Sequence, residues 1–197
     1  MTIETDEALL SRQAALQAEA DAVVADLDLL TLLGRFGRPV RVGSSVLGLM
    51  VVRDIDVTTL CPSLDPVALF EAARPLVSHP RVRELTFRND TGHWNTSPRH
   101  PDGVYWLVRY VADSGAAWTL DLWFIPEGTT QWDIEHVASL PPRLTSETRL
   151  AILRIKEARP APVAPARIPS YEIYEAVLDH GVRTPDEFTR YLERGSS

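Results

Sequence analysis

Between residues 5 and 33 leucines recur at helical spacing in a stretch rich in Ala, Asp and Glu, with neither Gly nor Pro, which predicts one long or two shorter helices ending at Gly34. Pro39-Val-Arg-Val-Gly-Ser-Ser45 reads as a strand entering a tight turn, and the apolar run 47–52 leads into a second strand, Arg53-Asp-Ile-Asp-Val57, where Ile and Val alternate with Asp. Asp65-Pro66 supplies a cap and a first-turn proline for a helix continuing over 67–77. Three further strands are predicted at 82–87, 104–112 and 116–125, the last two joined as a hairpin by Asp113-Ser114-Gly115. A polar loop rich in His, Trp, Asn, Arg and Pro fills 89–103. After Thr145 the pattern is helical to about Ala158, and 159–169 is an extended Pro and Ala spacer. Two short helices follow at 171–178 and 185–192, the second opened by a capping box of Thr184 and Glu187. The expected class is α+β: a mixed, twisted sheet backed by helices over 1–158, the spacer at 159–169, and a small C-terminal helical segment over 170–197.

Composition narrows the class of protein. With 197 residues, 45% of them hydrophobic, the chain can bury a solid core, which excludes a disordered or fibrous protein. Its start, MTIETDEALL, is acidic and reads as neither a signal nor a transit peptide. No segment approaches the ~18 apolar residues of a membrane span. Cys61 is the single cysteine, so no intrachain disulfide or multi-cysteine metal site forms, which fits a reducing cytoplasm; before Pro62 it reads as a small buried hydrophobe. Twenty Lys and Arg against 27 Asp and Glu give a net charge of -7, the wrong sign for gripping extended nucleic acid by its phosphates, and favour a small-molecule partner.

The chemistry lies in three features: Gly43-Ser44, then nine residues, then Asp54-Ile-Asp-Val57, and much later Leu120-Asp121-Leu122 on a separate strand. Residues two apart on a strand share a face with Cα atoms about 6.5 to 7 Å apart, so Asp54 and Asp56 reach a common centre. Magnesium takes hard oxygen ligands, often one or two carboxylates plus substrate phosphates, and a third carboxylate completes a clamp for two ions. Asp121 sits in Trp118-Thr-Leu-Asp-Leu-Trp-Phe124, so apolar that an unpaired carboxylate would be costly; such a triad wants a cation. At Gly43 the backbone can approach phosphates closely, where the Ser44 hydroxyl and nearby N–H groups donate, while Ser45 and Gly48 keep the loop small.

Together these motifs resemble the polymerase-β-like nucleotidyltransferase superfamily over residues 39–126. The resemblance implies a nucleotidyltransferase-like sheet and two magnesium ions. Asp54 and Asp56 would hold the ion that binds the triphosphate and share the second, and Asp121 would bind the second and help deprotonate an acceptor hydroxyl. The implied reaction moves a nucleoside monophosphate, AMP from ATP, onto a small-molecule acceptor, with an antibiotic such as an aminoglycoside as one form. Small bacterial enzymes of aminoglycoside and lincosamide kinds and minimal toxin-antitoxin types are equally compatible with the helical ends. Transfer to a tRNA end or a protein side chain, and a binding module that does not turn over, are the rival readings. The short gap before Asp54 leaves little room for a large phosphate-binding helix.

Other residues carry two readings each. His93, Trp94 and Asn95 would close over an acceptor or belong to a solvated loop. Arg109, on the strand across the hairpin from Asp121, would contact a phosphate or form an ordinary cross-strand ion pair. Trp106, Trp118 and Trp123 read as core or sheet-face packing ahead of the alternative, a base-stacking platform. Arg149, Arg154 and Lys156 would offer a base to the triphosphate or form a solvated helix face. His79, His136 and His180 show no metal-ligand spacing. The spacer would let the tail pack on its own core or on a second copy in a homodimer.

Overall fold

The computed structural model describes residues 5–96, 101–158 and 169–195. The tip of the polar loop, 97–100, and the spacer over 159–168 lie outside the described residues.

Helix α1 (Asp6–Asp26) starts where the Thr5 hydroxyl accepts the Ala8 N–H at 3.3 Å. It breaks before α2 (Leu29–Leu33) because Asp28 takes a left-handed conformation, φ 43°, which a short polar side chain tolerates. Strand β1 (Arg38–Val42) runs into the one-turn helix α3 (Ser44–Leu47), and β2 (Asp54–Cys61) follows. The apolar run expected to lead straight into that strand is instead irregular. Gly48 ends α3 at φ 66°, and the Arg149 guanidinium takes the Leu47 and Gly48 carbonyls at 2.6 Å each, so those groups are satisfied by a helix rather than a strand partner.

The helix expected over 67–77 is split into α4 (Pro66–Ala72) and α5 (Arg74–Val77), since Pro75 has no N–H to continue the first ladder. Asp65 caps α4 as expected, accepting from Val67 at 2.9 Å and Ala68 at 3.1 Å. Strands β3 (Val82–Asp90), β4 (Gly103–Val111) and β5 (Ala117–Pro126) complete a five-stranded sheet in the order β1-β2-β5-β4-β3. β2 and β5 are parallel and the remaining neighbours antiparallel, so the sheet is mixed and the class α+β. Helix α6 (Trp132–Ser139), which the pattern did not predict, lies against β1; α7 (Ser146–Glu157), α8 (Ser170–Leu178) and α9 (Pro185–Gly195) follow. Thr184 and Glu187 form the expected capping box at 3.2 Å in both directions.

Alternation along the strands sorts the sheet into two faces. Ile55, Val57, Trp106, Val108, Trp118, Leu120, Leu122 and Phe124 point to one face and pack on Leu16, Val23, Leu29 and Leu33 of α1 and α2. Trp106 and Trp118 are fully buried there, as packing residues. A second apolar cluster joins Leu47 and Leu49 to Ile152 and Ile155 of α7 and to Ile173, Val177 and Phe188 of the C-terminal helices. Among the described residues no helix is long and apolar enough to cross a membrane.

One polar knot ties α1 to the far edge of the sheet. Asp26 accepts from the Tyr110 hydroxyl at 2.7 Å and from Arg81 at 2.7 Å, and Arg81 also reaches Asp113 at 2.9 Å. The Tyr110 hydrogen bond, with help from Arg81, holds the Asp26 carboxyl below its ordinary pKa. A depressed folded-state pKa stabilises the fold above the unfolded value and loses that contribution as pH falls through the folded one. Asp26→Asn should therefore cost about 1–3 kcal/mol at pH 7. The difference should shrink as pH is lowered below the ordinary aspartate pKa of about 3.9. Denaturant unfolding of both proteins along that pH series checks it.

Candidate active site

Asp56 of β2 is directly opposite Asp121 of the parallel strand β5, and Asp54 is opposite Thr119, so all three aspartates share one face of the sheet. One oxygen from each carboxylate lies within 4.8 Å of the others, and all three residues are half-buried. They project from the face opposite the α1 and α2 core, because their neighbours Ile55, Leu120 and Leu122 are the residues that core buries.

Three negative groups at that separation repel one another, and partial burial weakens the screening, so the arrangement favours a bound cation. The donor set is all carboxylate oxygen, with no His or Cys, which suits a hard divalent ion such as magnesium.

Gly43 sits against this cluster. It has φ 70° and ψ -158°, and a Cβ there would overlap the Asp56 carboxylate. The turn is pinned on several sides: Gln17 of α1 donates to the Ser45 carbonyl, Arg41 donates to the same carbonyl at 3.4 Å, and Arg149 holds the end of α3. Of the two serines, Ser44 is half-buried, while Ser45 is buried with its hydroxyl on the Val42 carbonyl at 3.5 Å. Ser45 therefore offers a ligand its N–H rather than its hydroxyl.

Two tyrosines that no sequence motif singled out sense the charge of the triad. Tyr105 of β4 donates its hydroxyl to Asp121 Oδ1. Burial and then the Asp121 contact raise its pKa well above the ordinary tyrosine value, so it stays a donor. That bond orients the carboxylate and leaves its second oxygen for a cation. Tyr105→Phe should weaken divalent-cation binding at the three carboxylates about 10- to 100-fold. Calorimetric titration of both proteins with magnesium reads it. The second, Tyr174 of α8, is 5% exposed; burial raises its pKa, and the carboxylates of Asp56 and Asp133 add to the effect.

The remaining candidates are placed differently. The residue opposite Asp121 on β4 is Leu107; Arg109 lies two positions along, opposite Thr119, and donates to its hydroxyl. The His93 and Trp94 rings lie 4.5 Å apart, tilted at 41°, in a single 3-10 turn, Gly92–Trp94, whose Gly92 N–H is held by Asp102 at 2.9 Å. That turn follows Asp90, at the sheet end where Val104 pairs with Phe124, three residues beyond Asp121. Arg149 and Lys156 are not a solvated face, for Lys156 donates to the Leu49 carbonyl at 2.8 Å. Arg154 instead binds Asp6 at 3.0 Å.

No family model matches the sequence, and neither does any curated protein. Solved structures do match. The terminal uridylyltransferase Cid1, described for its RNA terminal uridylyl transferase activity, superposes with a TM-score of 0.51 at 17% identity over 71% of this chain. This chain shares the fold of that transferase over the matched residues. The chain spans 39% of the Cid1 chain. A cytoplasmic RNA terminal U-transferase matches with a TM-score of 0.46 at 19% identity, over 75% of this chain and 45% of that one. CdnC of E. coli MS115-1, solved with ATP, matches with a TM-score of 0.48 at 14% identity, over 92% of this chain and 66% of that one. Within this fold the sheet holds the three carboxylates.

Proposed function

We propose that the chain is a magnesium-dependent nucleotidyltransferase that moves a nucleoside monophosphate, AMP from ATP, onto a hydroxyl of a small-molecule acceptor. The observation that carries this reading is the convergence of Asp54, Asp56 and Asp121 beside the Gly43 turn. Asp54, Asp56 and Asp121 would hold the magnesium, which when bound neutralises phosphate charge and lowers the pKa of the attacking hydroxyl. Gly43 lets the backbone approach the leaving pyrophosphate, and the Ser44 hydroxyl donates to it. Tyr105 holds the Asp121 carboxylate in its orientation. The acceptor oxygen forms its bond to the α-phosphorus as the bond to pyrophosphate breaks; the hydroxyl proton passes toward the carboxylates and the electron pair leaves with pyrophosphate.

The net charge of -7 supports a small acceptor over a nucleic acid, and family analogy places antibiotics among the candidates. The test is pyrophosphate release with each of the four ribonucleoside triphosphates and magnesium, against aminoglycosides, lincosamides, mononucleotides and bulk tRNA. Release with ATP and a small molecule is the expected result. Release only with tRNA would replace the acceptor class, and no release together with no magnesium-dependent ATP binding would overturn the reading.

A further inference from the structure

The sheet face that carries the triad continues past Asp121 into a cluster of rings whose faces the chemistry above does not use; of its members only the Tyr105 hydroxyl has a role there. Trp123 is two residues beyond Asp121 on β5 and directly opposite Tyr105 on β4, which is in turn opposite Arg88 on β3. The Tyr105 and Trp123 rings are 4.8 Å apart, and the Arg88 guanidinium carbon lies 4.7 Å from the Tyr105 ring and 5.5 Å from the Trp123 ring. Arg88 is itself half exposed and steered by Asp90 at 2.7 Å. Two aromatic planes and a guanidinium plane together form a surface that takes planar, electron-rich rings.

Position decides which reactant this surface faces. An in-line displacement puts the attacking oxygen on the far side of the α-phosphorus from the departing pyrophosphate. The Gly43 turn follows β1 at one edge of the sheet, whereas Trp123, Tyr105 and Arg88 lie on β5, β4 and β3, on the other side of the carboxylates. The pyrophosphate end therefore points to β1 and the acceptor enters from β5 and β4. Asp121 and Trp123, two apart on one strand, are separated by about 6.5 to 7 Å at Cα, a gap that a nucleoside spans between its base and its sugar hydroxyls.

We infer that Arg88, Tyr105 and Trp123 form the acceptor site, and that the acceptor is a nucleoside or nucleotide whose base stacks on this cluster while its sugar hydroxyl reaches Asp121. The inference rests on the nucleotidyl-transfer reading and narrows its acceptor class. An acceptor phosphate gains a cationic partner in Arg88, and an aminoglycoside, cationic and without an aromatic ring, gains nothing there.

The experiment has two arms. In the first, calorimetry measures binding of a non-hydrolysable ATP analogue with magnesium to wild type, Arg88→Ala and Trp123→Ala. In the second, with that analogue saturating, AMP, CMP and an aminoglycoside are titrated while tryptophan fluorescence is followed, with Trp123→Phe as control, and the acceptor KM is measured with ATP. The expected result is donor affinity within about twofold in all three proteins. Mononucleotides quench wild type but not Trp123→Phe, and acceptor KM rises about 10- to 100-fold in both alanine variants. Arg88 is exposed, so its variant folds even where Trp123→Ala does not. Donor binding that is intact beside mononucleotides that neither quench nor accept would overturn the acceptor inference alone. So would Arg88→Ala acting on donor affinity rather than acceptor KM. Absence of donor binding in wild type would overturn the nucleotidyl-transfer reading and the inference with it.

Discussion

Asp54→Asn is expected to reduce nucleotidyl transfer by about 10³-fold or more, an effect of the size seen when charge stabilisation is removed from a reacting phosphoryl or acyl centre. Its companion effect on stability should run the other way. Asp54, Asp56 and Asp121 bring three like charges within 4.8 Å on a half-buried surface. Removing one charge in the absence of metal relieves repulsion, so the variant should unfold at the same temperature as the parent or a higher one. Added magnesium should raise the melting temperature of the parent and leave that of the variant unmoved, because only the parent's folded state binds the ion well. A thermal melt with and without magnesium, run beside the pyrophosphate assay, separates loss of chemistry from loss of fold. A variant that melts well below the parent would show that the aspartate is structural.

Gly43→Ala should have the next largest effect, through geometry rather than charge. At φ 70° and ψ -158° an L residue pays for a backbone region essentially reserved for glycine, about 1–3 kcal/mol. The new Cβ would also meet the Asp56 carboxylate and push it from the triad. The expected outcome is a lower melting temperature together with a fall of about 100-fold or more in kcat/KM for the triphosphate. Ordinary kinetics with the triphosphate as the varied substrate measures the second effect. A variant with reduced stability but unchanged kcat/KM would detach the turn from the site.

Much of this site was legible in the chain because it depends on strand periodicity. Asp54 and Asp56 are two apart, and a single parallel pairing of β2 with β5 suffices to bring Asp121 opposite Asp56. The apolar neighbours of Asp121 pointed the same way, since only one face of β5 can be core. What pairing register alone decides was not legible. Tyr105 reaches Asp121 because β4 pairs with β5 so that Leu107 faces Asp121, with Tyr105 and Trp123 beside them, and no local pattern fixes that offset. Arg109 does lie on the strand that faces Asp121, but its partner there, Thr119, is likewise set by register. Long-range hydrogen bonds were invisible too. Arg149 lies about a hundred residues from the carbonyls it holds, so the chain after Ser45 read as an approach to a strand when it is an irregular segment clamped from α7. Helix α6 escaped because its eight residues bury none fully and lack a side-chain cap, leaving neither signal that marked α4 or α9.

The most direct test of the central claim is a crystal structure with manganese in place of magnesium and a non-hydrolysable ATP analogue. Anomalous density coordinated by Asp54, Asp56 and Asp121 is expected, with the analogue's terminal phosphates against the Gly43-Ser44 turn. Manganese bound elsewhere, or a nucleotide whose phosphates avoid that turn, would contradict it.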